Sequence, residues 1–70
     1  MKETGTVVAI APVEGDVAGF VQVAVLFEDG RIERANLRPD LVPPGLNVND
    51  RVLLTRAALY RRWRIEIATP

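Results

Sequence analysis

The sequence predicts an all-β domain built as a small five-stranded barrel. Two observations carry this prediction. The apolar residues fall in short runs rich in valine and isoleucine, a composition typical of strands. Glycine, proline and aspartate separate these runs and are the residues that form turns. At 70 residues we expect one domain, residues 1–70, which buries roughly 60% of the surface of the unfolded chain.

The composition argues against an enzyme. The chain contains no histidine, cysteine or serine. It therefore lacks imidazole acid–base groups, thiol and serine nucleophiles, and the nitrogen and sulfur ligands that zinc and iron prefer. We expect no catalytic residue, metal, cofactor or small-molecule substrate. Without a disulfide, so small a domain depends on tight packing, closure of the sheet or a partner subunit for its stability.

Charge is distributed unevenly along this neutral chain. Residues 1–50 carry four basic and eight acidic groups, whereas residues 51–70 carry five arginines and one glutamate. A closed barrel would mix the two halves in space. The apolar stretch from Val7 to Val13 is too short for a secretory signal or a bilayer span. A cytoplasmic protein without membrane association is therefore expected.

Turn residues divide the chain into five predicted strands, at residues 4–12, 20–27, 31–37, 51–55 and 60–68. The second strand has the clearest pattern, because four apolar side chains from Val21 to Phe27 fall on one face at a period of two. Residues 13–19 form a loop. Residues 38–50 hold three prolines and form a tight crossover with one 3₁₀ turn near residues 40–42. The pattern leaves OB-like and SH3-like connections both open.

The hairpin at residues 28–30 has two alternative registers. A two-residue type I′ loop would place Arg34 beside Val25 on the inner face. A three-residue loop with Gly30 in a G1 bulge instead pairs Leu26 with Ile32 on the outer face. We favour the three-residue loop, because it avoids burying the charge of Arg34. An exposed apolar pair, which a partner could cover, is the consequence.

The turn before the fourth strand ends in Asp50. An aspartate at this position accepts backbone N–H bonds within the turn, and small barrels commonly enter a strand in this way. The motif therefore predicts a fold element rather than a function.

Several of these segments together resemble a known barrel. A strand, a glycine-containing hairpin, a return strand and a turn leading into an Arg-Val-x-Leu strand follow at similar spacing, carried by residues 21–31, Asn36, Pro39, Leu46, residues 50–54 and Leu59. The chain is similar here to the OB-type interdomain barrel of proteasome-activating AAA ATPases. The resemblance implies an OB-like fold and ring formation through barrel edges. The chain has neither the coiled coil nor the phosphate-binding loop of that family, so ATPase activity is not implied.

A second resemblance is to the small barrel of hydrogenase maturation chaperones. That family uses an N-terminal Met-Cys pair for metal transfer, whereas this chain begins Met1-Lys2. The metal-transfer activity therefore does not carry over.

A cluster of arginines and aromatic residues near the end of the chain has two readings. Basic groups interleaved with rings are the ingredients of a surface for single-stranded nucleic acid, and the candidates are Arg56, Tyr60, Arg61, Arg62 and Arg64. Trp63, however, alternates in phase with Ile65 and Ile67, which favours a core position for the ring. The neutral net charge also argues against non-specific binding to nucleic acid.

The leading functional expectation is a non-enzymatic assembly or adaptor module. It would bind a protein partner, or form a homo-oligomer, through an exposed strand edge and the barrel face that carries Leu26, Ile32 and Arg34. A nucleic-acid-binding OB-like barrel that uses the arginine and aromatic strand is the alternative. An enzyme accessory subunit with no chemistry of its own is a third class.

Overall fold

The fold is all-β, as the sequence predicts. The structure is a computed structural model that describes residues 2–15, 19–57 and 62–68. Five strands form one sheet: β1 (Lys2–Pro12), β2 (Val21–Phe27), β3 (Ile32–Leu37), β4 (Arg51–Ala57) and β5 (Arg62–Ile67). A short 3₁₀ turn, Pro39–Leu41, lies between β3 and β4. The strand bounds lie close to those expected from the turn residues. Residues 16–18 of the predicted first loop lie outside the described residues.

The strand order is β3-β2-β1-β4-β5, and every neighbouring pair is antiparallel. The first four strands form a Greek key, because β4 returns over a long connection to lie beside β1. The predicted five-stranded barrel is present only in a loose sense, as a curled sheet. Among the described residues, the edge strands β3 and β5 do not pair, so the sheet curls but stays open. Pro39 lies two residues beyond the end of β3 and has no N–H to continue a ladder, so β3 does not extend further.

The hydrophobic core lies on the inner face of the curled sheet. Its buried side chains come from all five strands and are Val7, Val23, Val25, Phe27, Leu37, Val52, Leu54 and Ile65. A bulge between Val7 and Ala9 shifts the register of β1 against β2. Ile10 then lies opposite Val23 and packs against the core. The crossover contributes Val42 and Leu46, which also pack there.

Gly5 allows β1 and β2 to approach closely. It is buried and lies opposite Phe27. A Cβ atom at this position would come within 2.5 Å of Val25 Cγ1 and 2.9 Å of the Leu26 carbonyl oxygen. Both distances are too short for carbon contacts, so the packing requires glycine.

The turn before β4 confirms the expected role of Asp50. Its Oδ2 accepts a hydrogen bond from the backbone N–H of Asn47 at 2.8 Å. Asn49 has a φ of 79°, a left-handed conformation that asparagine tolerates better than most residues. Its N–H donates to the Val7 carbonyl at 2.7 Å, and the Val7 N–H donates to the Asp50 carbonyl at 2.9 Å. The turn is therefore bonded to the start of the β1 bulge.

Candidate functional site

The β2–β3 hairpin has the favoured three-residue loop at residues 28–30. The Gly30 N–H donates to the Phe27 carbonyl at 3.0 Å, and the Phe27 N–H donates to the Arg31 carbonyl at 2.8 Å. Gly30 has a φ of 91°, which suits glycine and matches a G1 bulge. The loop therefore sets the register of the two strands.

This register pairs Leu26 with Ile32 on the outer face of the sheet, as predicted. The two side chains are 37% and 49% exposed. We call this pair the outer patch. The same row continues through Thr6 to Arg51, whose guanidinium lies 3.2 Å from a carboxylate oxygen of Glu28. The outer patch is thus an apolar surface with a charged border.

Arg34 extends this face along β3. It lies opposite Ala24 and is exposed, and among the described residues it makes no ion pair. The three predicted interface residues, Leu26, Ile32 and Arg34, therefore lie together on the outer face of β2 and β3. The backbone edge of β3 beside them has no strand partner within the described residues.

A second feature is a cluster of four alternating charges, which we call the charged cluster and which comprises Glu3, Arg31, Glu33 and Arg56. The Arg31 guanidinium lies 2.6 Å from Glu3 and 2.7 Å from Glu33. Arg56 lies 3.2 Å from Glu3 and also donates to Glu33. These ion pairs link β1, β3 and β4, so side chains connect strands that are not neighbours in the sheet.

Aromatic rings lie against the guanidinium groups of this cluster. The Arg31 guanidinium carbon is 4.9 Å from the centre of the Phe27 ring, and that of Arg56 is 5.7 Å from it. Arg56 also lies 5.8 Å from the Trp63 ring. Cation–π attraction and the four ion pairs within the cluster hold these two arginines in place. Arg56 Nε is nevertheless buried without a hydrogen-bond partner.

Arg31 also fixes the hairpin loop. Its backbone N–H donates to Asp29 at 3.1 Å, and its Nε donates to the same carboxylate at 2.7 Å. These hydrogen bonds lower the pKa of Asp29 below its usual value. The same carboxylate, together with Glu3, raises the pKa of Arg31. The loop that sets the hairpin register is thereby tied to the charged cluster.

Of the nucleic-acid candidates, Arg56 and Arg64 have described side chains, and these two lie on opposite faces of the sheet, since Arg56 lies opposite Trp63 and Thr55 opposite Arg64. Arg56 is engaged by two carboxylates of the charged cluster. Arg64 is exposed on β5 and lies 3.6 Å from Glu66. Tyr60 and Arg61 lie outside the described residues, as does the side chain of Arg62. The expected core position of Trp63 is confirmed in part, because its ring packs against the core but is only half-buried.

A groove separates the two edge strands, and we call it the β3–β5 groove. One part has a volume of about 400 Å³ and lies between the end of β3 and Trp63. The other, of about 800 Å³, lies between the crossover and β5. Arg38, Leu41 and Trp63 line both parts, so the groove is continuous along β5.

Sequence reasoning missed the charged cluster. The favoured hairpin register keeps Arg34 off the inner face but places Glu33 opposite the buried Val25. The alternation of side chains along β3 therefore already indicated that the Glu33 carboxylate would lie on the inner face. Its partners Arg31 and Arg56 compensate that charge, and the latter comes from a strand whose position in the sheet the sequence does not reveal.

The uneven charge of the chain is compensated across the sheet. Arg56 and Arg51, from the basic end of the sequence, pair with Glu3, Glu33 and Glu28 from the acidic part. The open, curled sheet therefore already brings charges of the two halves together, although the expectation named a closed barrel as the means.

Within the described residues, no group of three or more acidic side chains could hold a metal ion. Nor does any helix in that part of the chain have the length and apolar character to cross a membrane. Comparisons with protein-family models, with curated proteins and with solved structures found no match.

Proposed function

We propose that this domain is a non-enzymatic assembly module that binds protein, either a second copy or another chain, through the outer patch and the adjoining edge of β3. The observation that carries the proposal is the direct pairing of Leu26 with Ile32, both exposed, beside a strand edge that pairs with no other described strand. Apolar surface bordered by charge is typical of protein interfaces.

The strand order supports an OB-like connection for the sheet. OB-folds are five-stranded, partly open Greek-key barrels, and their second and third strands form a common ligand-binding face. Here β4 lies beside β1, as a Greek key requires. The outward positions of β2 and β3 carry Leu26, Ile32 and Arg34 and no aromatic ring. Aliphatic side chains suit burial against protein, whereas single-stranded nucleic acid needs rings for stacking.

The nucleic-acid alternative receives less support. Its candidate Arg56 is held by two carboxylates and two rings, so a phosphate would have to displace those contacts. The described residues offer Arg64 as the exposed member of that set.

Sedimentation velocity over a range of concentrations tests the proposal. We expect wild-type protein to self-associate and Ile32→Asp to weaken association about tenfold or more, because a carboxylate would replace a buried aliphatic side chain. Leu26→Asp should act in the same direction. Val48→Asp is the matched control, since Val48 is 47% exposed but lies in the turn before β4.

Identical sedimentation of wild type and Ile32→Asp at concentrations where wild type associates would contradict the proposal. If wild type is monomeric, affinity capture from extracts of the producing cells replaces sedimentation. Equal capture of the same proteins by wild type and Ile32→Asp would then exclude the outer patch as the binding surface.

A further inference from the structure

The β3–β5 groove lies between two strands that run in the same direction. Three strands separate β3 from β5, and each neighbouring pair is antiparallel, so β3 and β5 point the same way. One strand placed between them would be antiparallel to both. Antiparallel addition is a favourable way to extend a sheet, because its hydrogen bonds are direct.

The backbone of β5 has groups aimed into this groove. The Ala68 N–H donates to the Arg51 carbonyl at 2.9 Å, which fixes the phase of the ladder between β5 and β4. In an antiparallel ladder, alternate residues bond the neighbour and the others direct N–H and C=O away from it. Trp63, Ile65 and Ile67 are therefore the residues whose backbone groups face away from β4.

The same reasoning applies to β3. The Phe27 N–H donates to the Arg31 carbonyl, so the alternate positions Arg34 and Asn36 direct their backbone groups away from β2. Arg34, Asn36 and Trp63 line the same part of the groove. Both walls thus direct backbone donors and acceptors into the groove, and within the part of the chain that the structure describes these groups have no strand partner.

The side chains of the groove favour a partner with apolar and acidic residues. Leu41 and Ile67 are exposed there, and Trp63 is half-buried. Arginines from three positions also line it, namely Arg34, Arg38 and Arg64. Asp40 and Glu66 lie within 3.4 and 3.6 Å of Arg38 and Arg64, which leaves Arg34 as the groove arginine without an ion pair among the described residues.

We propose that the β3–β5 groove binds an extended peptide segment with carboxylate side chains as an additional strand, antiparallel to β5. Its backbone bonds the edge of β5, its apolar side chains contact Trp63 and Leu41, and a carboxylate pairs with Arg34. This inference rests on the proposed protein-binding function and names the second binding element and the chemistry of its ligand. Strand addition to a free sheet edge is a recurring mode of peptide recognition.

A peptide fits these observations better than an oligonucleotide. Only a peptide supplies the backbone N–H and C=O groups that two free strand edges can bond. The described groove offers two rings, those of Trp63 and Phe20, for base stacking. Two of its three arginines already face carboxylates, which leaves Arg34 to pair with one carboxylate of a peptide, whereas an oligonucleotide would bring a phosphate at every step.

Trp63 provides the measurement, because it is the only tryptophan and lines both parts of the groove. The probe is a pool of eight-residue peptides in which valine, isoleucine or leucine alternates with aspartate or glutamate. We expect a saturable change in tryptophan fluorescence. The same pool with lysine in place of the acidic residues should bind about tenfold more weakly.

Two pairs of variants test the contacts. Ile67→Pro removes an N–H that faces the groove without removing a ladder bond, and Ile67→Ala is its matched control because it retains the N–H. We expect the proline variant to bind the acidic pool about tenfold more weakly than the alanine variant. Arg34→Ala should also weaken binding, whereas Lys2→Ala, which removes an exposed cation of β1, should not.

Absence of a saturable signal with the acidic pool overturns the inference, as does equal binding by Ile67→Pro and Ile67→Ala. A stronger fluorescence change with a fifteen-nucleotide oligothymidylate than with the acidic pool also overturns it and assigns the groove to nucleic acid. Ile32→Asp separates the two proposals. If the Ile32→Asp variant still binds the acidic peptides but no longer self-associates, both proposals stand. If neither wild type nor the variant binds the peptides, while Ile32→Asp still prevents self-association, only the groove inference is lost.

Discussion

The charged cluster and the β3–β5 groove both contain arginines paired with acidic residues, but the pairs of the cluster link separate strands, whereas those of the groove do not. In the cluster, three of the four ion pairs join residues that are distant in sequence, and only Arg31 and Glu33 are two residues apart. In the groove, Arg38 and Arg64 form ion pairs with Asp40 and Glu66, each two residues away. Trp63 borders both places, since it lies over Arg56 and also lines the groove.

The difference shows how pairing distance decides where the sheet is held together. An ion pair between distant strands fixes their separation, whereas a pair within one segment leaves that segment free to face something else. The cluster therefore joins β3 to β4 across the curled sheet. The groove, with only local pairs, leaves β3 and β5 apart and accessible to a ligand.

The largest expected effect concerns the support of the charged cluster. Gly5→Ala would place a Cβ 2.5 Å from Val25 Cγ1 beside Phe27, the ring beneath both cluster arginines. We expect the free energy of unfolding to fall by about 2–3 kcal/mol, the usual cost of overpacking a tight core. Urea denaturation measures it. Gly15→Ala is the control: no atom lies near the added Cβ, so only its φ of 74° adds strain, about 1 kcal/mol.

Removing the guanidinium that bridges β3 and β4 comes next. Arg56→Met should destabilise the fold by about 2 kcal/mol, because Glu33 and Glu3 each lose a charged partner. Arg38→Met, which removes only a local pair, should cost less than about 0.5 kcal/mol. If both variants lowered the free energy of unfolding by similar amounts, distant and local ion pairs would not differ in how much they stabilise the fold.

Double-mutant cycles sharpen the same distinction. The coupling free energy between Arg56 and Glu33 should be about 1 kcal/mol, since both side chains are largely shielded from water. The coupling between Arg64 and Glu66, which are exposed, should be about 0–0.3 kcal/mol. A larger coupling in the second pair would show that local ion pairs stabilise β5 as strongly as distant ones stabilise β3.

The smallest effect is a pH dependence at the edge of the cluster. The pKa of Asp29 is lowered in the folded protein, so its contribution to stability is present above about pH 4, the value for unfolded chains, and is lost as the pH falls through the lowered pKa. Carboxyl NMR titration should show this low midpoint in wild type. In Arg31→Ala the midpoint should rise toward 3.8. An unchanged midpoint would show that the Arg31 side chain does not lower the pKa of Asp29, so that the loop is not coupled to the charged cluster.

The sequence allowed the local features to be predicted. The all-β fold, the bulged loop at residues 28–30 and the exposed Leu26–Ile32 pair follow from two-residue periodicity and turn chemistry. Asp50 was likewise predictable, because its bond lies within its own turn. These features depend on residues that are near one another in the chain.

Features that depend on distant contacts were not predictable. Whether the edge strands β3 and β5 meet is one such feature, because nothing in either segment specifies the other; within the described residues they do not pair. The inward position of Glu33 becomes reasonable only once Arg56 arrives from β4. Trp63 shows the same limit: its period is correct for the core, but its ring is only half-buried and lines the groove.

The long strand β1 has a kinetic consequence. It pairs with β2 from Gly5 to Pro12 and with β4 from Lys2 to Thr6, so its backbone hydrogen bonds join the two parts of the sheet. The β2–β3 and β4–β5 pairings connect nearby residues, whereas β1 and β4 come from opposite ends of the chain. Closing so large a loop costs entropy before any contact forms, which slows folding. Docking of β4 onto β1 is therefore the step that should set the folding rate.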